Sequence, residues 1–187
     1  RPRGGALFLS SSLAAASTST LYGVSKRAGE LLCAYHRTAH GLDARSLRLP
    51  VLLHPAMEPG GGGTADFAVE MLREARGGRP YACFLAPRTS LPFLHLSDAV
   101  RGILAFMAAE ARPPVGGALP GFSLTPERLA GEAVRLRPGF RVRYEADPVR
   151  QAVADTWPKR LGRADAPKGW SFKARYGLRE TVAELLA

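Results

Sequence analysis

The sequence is poor in cysteine, poor in lysine and short of acid. Its two cysteines, Cys33 and Cys83, lie far apart and no C-x-x-C occurs, which excludes a disulfide-stapled secreted scaffold and a zinc ribbon. The expectation is two reduced, buried thiols in a reducing compartment, with a disulfide between them left open. No apolar run reaches the roughly eighteen residues that a membrane span needs, because Arg, Gly or Pro interrupts each one, so no membrane partner is expected. Acidic residues number 16 against 26 basic ones, a net charge of +10. Only four of the basic residues are lysines, and the 22 arginines are scattered from Arg3 to Arg179 without a run of five. The tightest group is Arg135, Arg137, Arg141 and Arg143. A nucleic-acid groove would cluster its charge on one face and interleave aromatics, so no nucleic-acid partner is expected and the excess reads as a solvated basic surface.

What is present is an ordinary globular composition, 46% hydrophobic and 22% charged over 187 residues, enough chain to bury a sizeable core. The opening Arg1-Pro2-Arg3-Gly4-Gly5 leads into an apolar stretch too short for a secretory signal and too strand-like for a transit peptide. Ala6 to Leu9 reads as a buried parallel strand ending in Ser10-Ser11-Ser12. A helix is predicted from about Tyr22 to His40, where Ala28, Leu31, Leu32 and Tyr35 recur at helical spacing and Gly41 stands in the stop position. Ala44 to Leu53 reads as a strand ended at Pro50. Strand, helix, strand in that order predicts a right-handed parallel crossover and an α/β fold.

Beyond Pro55 the pattern changes. A Gly/Pro-rich loop precedes a helix predicted from Thr64 to Arg76 with Phe67, Met71 and Leu72 inward. Tyr81 to Leu85 and Leu91 to Leu96 are short strands. Ser97-Asp98 reads as the N-cap of a helix to about Ala111. Thr125-Pro126-Glu127 caps another to Leu136. Phe140 to Glu145 is a strand, and helices follow near Val149–Thr156 and Leu178–Leu186. No internal repeat is visible.

Tyr22-Gly23-Val24-Ser25-Lys26 puts a phenol and an ammonium four residues apart on one helix face. A cation beside a tyrosine hydroxyl favours the phenolate, the form a general base needs. The three serines at the end of the preceding strand offer a hydroxyl to a substrate oxygen. His36 and His40 share a face at metal-ligand spacing but lack a third ligand, so no metal is expected. His54 reads as a loop histidine, His95 as a satisfied core residue, and Trp157 as either a core anchor or a pocket wall. Gly60-x-Gly62-x-x-Ala65 formally matches a phosphate-binding turn, a cheap match in a run of glycines.

Strand-Ser10-Ser11-Ser12, Tyr22-Gly23-x-Ser25-Lys26 and Arg48-x-Pro50 together resemble the extended short-chain dehydrogenase/reductase superfamily. The glycine run into Thr64-Ala65-Asp66-Phe67, Leu91-Pro92-Phe93, Phe122-Ser123-Leu124-Thr125-Pro126-Glu127 and Asp147-Pro148-x-Arg150-Gln151 through Trp157-Pro158 are similar to the short-chain type of L-threonine 3-dehydrogenases. The resemblance implies NAD as cofactor, an amino-acid substrate, a homodimer, and oxidation of L-threonine to 2-amino-3-oxobutanoate in threonine breakdown. It implies that Tyr22 is the general base, that Lys26 holds the ribose and favours the phenolate, and that Ser12, with Ser11 a rival, orients the substrate. Val51 and Leu52 would flank the nicotinamide through their backbone, and Gly63 with Thr64 would close the substrate pocket. The compartment would be the mitochondrial matrix in a eukaryote and the cytoplasm in a bacterium.

The chain departs from the family's pattern in three places. Ser12 and Tyr22 are only ten residues apart, an extra glycine precedes Thr64, and Ala65 stands where a second threonine is common. A dinucleotide site also needs a strand, a glycine turn and an acidic residue for the ribose, and nothing before Ala6 supplies them. The expectation is therefore a truncated protein: residues 1–54 as a partial Rossmann core, the C-terminal part of a doubly wound parallel sheet, and residues 55–187 as a small α+β substrate-binding lobe with returning core elements. Such a chain would be inactive or impaired alone. A sugar epimerase or dehydratase relative, and a non-catalytic remnant or interaction module, stay open.

Overall fold

The computed structural model describes residues 5–58, 63–109 and 115–187. Strand β1 (Leu7–Ser12) runs from Leu and Phe into the three serines and closes in a 3-10 turn over Leu13–Ala16. Helix α1 (Leu21–His40) returns the chain to β2 (Ala44–Leu49), which lies parallel to β1 with Leu7 opposite Ala44 and Ser12 opposite Leu49. The ends of α1 follow from its sequence. Thr20 Oγ1 accepts the Gly23 N–H at 3.0 Å, and Gly41 turns left-handed at φ +64°, a conformation that penalises a side chain. A short strand, β6 (Gly117–Ala118), pairs in parallel with the other edge of β2. Nothing in its sequence marked it, since two residues carry no periodicity.

The single strand expected to end at Pro50 continues past it and changes partners. Proline has no N–H for a ladder, so β2 stops at Leu49, and β3 (Val51–Leu53) pairs in parallel with β5 (Leu91–His95) in a second sheet. Strand β7 (Phe122–Leu124) is antiparallel to β5, the order being β3-β5-β7. A third sheet pairs β4 (Tyr81–Cys83) with β8 (Val142–Tyr144) in parallel, so the strand expected over 140–145 is trimmed at both ends. The architecture is α/β with mainly parallel pairing, as the strand-helix-strand order implies.

Helices α2 (Phe67–Arg76), α4 (Pro126–Leu136) and α6 (Leu178–Leu186) surround the largest apolar cluster, in which Phe67, Met71, Phe93, Leu124, Leu129 and Val182 are wholly buried. Each such side chain contributes about 1.5–3 kcal/mol by leaving water. Helix α2 starts later than Thr64, because the residues before it form a turn in which Gly63 N–H donates to Asp66 Oδ2 at 2.9 Å. Thr125 caps α4 as expected, through the Arg128 N–H at 3.2 Å. Asp147 caps α5 (Pro148–Thr156), taking the Val149 and Arg150 N–H groups at 2.9 Å each.

Helix α3 (Leu96–Ala108) corrects the sequence reading. Its cap is His95, whose Nδ1 accepts the Ser97 N–H at 3.3 Å. Asp98 is instead buried and takes the backbone N–H groups of Arg175 and Tyr176 at 2.8 Å each, with Arg101 at 2.6 Å. A carboxylate that fastens a distant loop is unavailable to cap its own helix. The cysteines are both free and buried. Burial pushes the Cys83 thiol up to about 11 and raises Cys33 as well, so neither is a ready nucleophile. Among the described residues no helix is long and apolar enough to cross a membrane.

Candidate functional site

The site grows from the C-terminal end of β1. Ser12 Oγ accepts the Ala14 N–H at 3.2 Å and so starts the 3-10 turn. That turn is the seat of α1: a side chain at Gly23 would stand 2.6 Å from the Ala14 carbonyl oxygen and 2.5 Å from that of Ser17. Only glycine lets the first turn of α1 settle so closely on the residues that follow Ser12. Tyr22 is therefore held at the end of β1 and remains 54% exposed. Lys26, one turn on, donates from Nζ to the Ser10 carbonyl at 2.9 Å and lies 5.4 Å from the centre of the Tyr22 ring. Phenol, ammonium and serine-rich strand end are thus gathered at one place by local contacts.

The two rival serines have different surroundings. Ser11 is buried and donates to Glu30 Oε1 at 2.7 Å, while Ser12 is half-buried and gives the turn only a lone pair. Glu30 is the residue that sequence reasoning missed. It is 2% exposed, receives Arg48 in a bidentate pair at 2.8 Å for both bonds, and receives Arg27 at 2.9 Å. Burial works to raise its pKa, but the bonds from Arg48, Ser11 and Arg27 prevail and hold the carboxyl below its ordinary value. The network joins α1 to β1 and β2 one turn beyond Lys26, fixing the helix that carries the pair. The available signal was the stripe Gly23, Lys26, Glu30, Cys33 at helical spacing. The apolar stripe Ala28, Leu31, Leu32 and Tyr35, which revealed the helix, faces outward.

Strand β3 adds an edge. Among the described residues it has a strand partner on one side only. The side chain of Val51 packs with Leu13, Ala118 and Leu161 as well as with the large core, and Leu52 packs with Leu94, Ala99, Leu119 and Phe172. Their side chains are thereby engaged in packing, which leaves backbone groups for any ligand. The segment before α1 also meets α5. Ser17 Oγ donates to Ser19 Oγ at 3.0 Å, and Ser19 stands 3.1 Å from Thr156 Oγ1, which donates to the Val153 carbonyl at 2.7 Å. An open cleft of about 490 Å³ lies there, lined by Ser19, Pro148, Val149, Ala152, Val153 and Thr156.

Other candidates lie elsewhere. Gly63 is exposed and Thr64 buried in the turn ahead of α2, and no described hydrogen bond joins them to Tyr22, Lys26 or Ser12. The phosphate-cradle match at Gly60-x-Gly62 falls outside the described residues. His54 accepts the Ala56 N–H at 3.1 Å and lines a small pocket with Val69, Leu72 and Leu185. His36 and His40 are exposed and pack on Tyr35, and no metal-binding cluster occurs among the described residues. His95 is wholly buried, stacked on Tyr176 at 4.1 Å, with Nε2 3.4 Å from Glu184 but not hydrogen-bonded.

Residues 8–119 match the NAD dependent epimerase/dehydratase family. An uncharacterised epimerase/dehydratase of Staphylococcus haemolyticus is 43% identical over 163 residues, 85% of this chain and 51% of the relative. The mitochondrial L-threonine 3-dehydrogenase of Bos taurus is 39% identical over 169 residues, 89% of this chain and 45% of the relative. The chain thus spans about half the length of the curated relatives it matches. Among solved structures, the apo form of a GalE-like L-threonine dehydrogenase from Cupriavidus necator superposes with a TM-score of 0.87 at 38% identity, covering 96% of this chain and 70% of the other.

Proposed function

The chain belongs to the NAD dependent epimerase/dehydratase family, and from that premise we propose that it carries the catalytic pair and substrate side of an oxidoreductase of the L-threonine 3-dehydrogenase kind. The observation that carries this reading is Tyr22 and Lys26 set on the turn that Ser12 begins, with Lys26 anchored on the Ser10 carbonyl. The threonine dehydrogenases among the relatives and the solved structures support it.

The reading implies NAD. The residues fit its nicotinamide and ribose half. β3 offers an edge at Val51 and Leu52, and Lys26 has spent one of its three N–H donors on Ser10. Tyr22 and Lys26 would hold the ribose. For the pyrophosphate the described residues offer no glycine-rich turn leading from a strand into a helix. The chemistry that NAD supplies when bound is acceptance of the hydride from the carbon bearing the threonine hydroxyl. In this reading Ser12 Oγ orients that hydroxyl, and Tyr22, as phenolate, takes its proton onto the phenol oxygen. The Lys26 ammonium offsets the charge that Tyr22 carries before the transfer. Gly63 and Thr64 are assigned the far wall of the substrate pocket. Homodimer assembly, and a mitochondrial or bacterial cytoplasmic setting according to source, belong to the same proposal.

The test joins this chain to the part of the Staphylococcus haemolyticus relative that it does not match, about half of that protein, and follows NADH at 340 nm. The expected result is NADH formation dependent on L-threonine, reduced about 10²- to 10⁴-fold by Tyr22→Phe. Turnover of a nucleotide sugar in place of threonine, or full activity in Tyr22→Phe, overturns it. The chain by itself is expected to bind NAD weakly. Micromolar affinity by calorimetry would refute that part.

A further inference from the structure

His95 stands between two partners and bonds to one of them. Its Nδ1 accepts the Ser97 N–H at 3.3 Å and so caps α3. A ring nitrogen that accepts carries no proton, so the neutral imidazole bears its hydrogen on Nε2. That donor is buried and has no hydrogen-bond partner among the described residues, although buried donors are almost always paired. It lies 3.4 Å from Glu184 Oε1 on α6, within ion-pair distance but outside hydrogen-bond geometry.

The other ionisable groups around the ring are already engaged. Tyr176 stacks on it, ring centres 4.1 Å apart. On α3, Asp98 is taken by Arg101 and by the Arg175 and Tyr176 N–H groups. On α6, Glu180 receives the Gly177 N–H. Beside it in the sheet, Leu53 is the register partner of His95, and the next residue, His54, has its Nδ1 occupied by the Ala56 N–H. Glu184, 40% exposed, is therefore the carboxylate left to face Nε2.

We propose that His95 is an acid-operated switch between the cap of α3 and the Glu184 carboxylate. Protonation puts hydrogen on both ring nitrogens. Nδ1 then no longer accepts the Ser97 N–H, and a cation stands at the helix end that disfavours one. Nε2–H in turn gains a charge-assisted attraction to Glu184. The first turn of α3 also carries Asp98, which ties down Arg175 and Tyr176, and Ala99, which packs with Leu94, Phe172 and Leu52 of β3. Loss of the cap loosens this backing of the β3 edge. Only that last consequence draws on the proposed function, which sets the cofactor against β3.

The test titrates the ¹⁵N,¹³C-labelled chain from about pH 8 to about pH 5, the range in which a histidine ordinarily changes charge. No ligand is present, so a failure here leaves the functional reading untouched. As the His95 ring protonates, the protection of the Ser97 amide against exchange should fall about fivefold, as for a lost cap. The Glu184 carboxyl carbon and the Tyr176 and Leu52 amides should shift with the same midpoint.

Glu184→Gln removes the waiting partner and leaves the cap, so the midpoint should move to lower pH while Ser97 protection at the alkaline end stays unchanged. His95→Asn supplies a cap that does not titrate and should abolish the transition. Should that buried substitution prevent folding, Glu184→Gln at its partly exposed position carries the test. A His95 ring that stays neutral throughout, a Ser97 amide indifferent to the ring's charge, or a midpoint unmoved by Glu184→Gln overturns the switch. A response that stops short of Leu52 overturns its link to β3.

Discussion

Helices α1 and α2 belong to one chain but are held by opposite means. α1 has twenty residues, of which three are buried, Gly23, Glu30 and Cys33; α2 has ten, of which six are buried and all six are apolar. Leu21, Leu31, Leu32 and Tyr35 on α1 are each more than half exposed. What fastens α1 is polar and steric: the Gly23 seat, the Glu30 network and the Lys26 bond to β1. What fastens α2 is oil. The helix that carries the proposed chemistry is the one placed by directional contacts, which fix orientation more sharply than non-directional apolar burial does.

The largest expected effect strikes the apolar side of this contrast. Phe67→Ala empties a wholly buried ring site facing Phe93 at 5.9 Å and should cost about 3–5 kcal/mol. Urea denaturation read by far-UV circular dichroism measures it. Glu30→Ala should cost somewhat less, about 2–3 kcal/mol. It strands Arg48 and Ser11, but Arg48 is 22% exposed and recovers part of its hydration. The comparison is sharpened by where the loss appears. Amide exchange should accelerate across α1 and β1 in Glu30→Ala while α2 and α4 stay protected. Uniform acceleration would mean that the two regions unfold as one unit.

How much of this the sequence discloses follows from the same division. α6 runs over Leu178–Leu186 and α4 from Thr125-Pro126 to Leu136, as their apolar periodicity and caps require. That Tyr22, Lys26 and the serines lie together was legible because residues 10–26 share one strand-to-helix junction. Glu30 was not, since a glutamate in a helix reads as solvated until Arg48, eighteen residues on, is brought across the sheet. Asp98 was misread for a like reason: its partners are Arg175 and Tyr176, more than seventy residues away. The change of sheet at Pro50 was half visible. Proline marks the break in the ladder, but that β3 then pairs with β5 is a fact of tertiary structure.

A milder perturbation is acid. The Glu30 carboxyl is depressed in the folded state, so its stabilisation is complete above the unfolded value of about 4.5 and is lost as pH falls through the lower folded value. Exchange in α1 should therefore accelerate below about pH 4.5, ahead of α2. Glu30→Gln should be less stable at neutral pH and lack that α1-specific acid step. An unchanged acid profile in Glu30→Gln would assign the sensitivity to other carboxylates.

The smallest effect is the most discriminating. Leu31→Ser and Leu32→Ser alter side chains that are 57% and 59% exposed, and substitutions at such positions ordinarily change stability by less than about 0.5 kcal/mol. Their melting temperatures should stay within about two degrees of the parent, against a fall several times larger for Phe67→Ala. The reason is mechanical: neither leucine contributes to the buried set of α1, so shortening it opens no cavity and removes no partner from Glu30 or Gly23. A loss above about 1 kcal/mol at either position would show that this face is covered in solution, and that α1, like α2, is held by apolar burial.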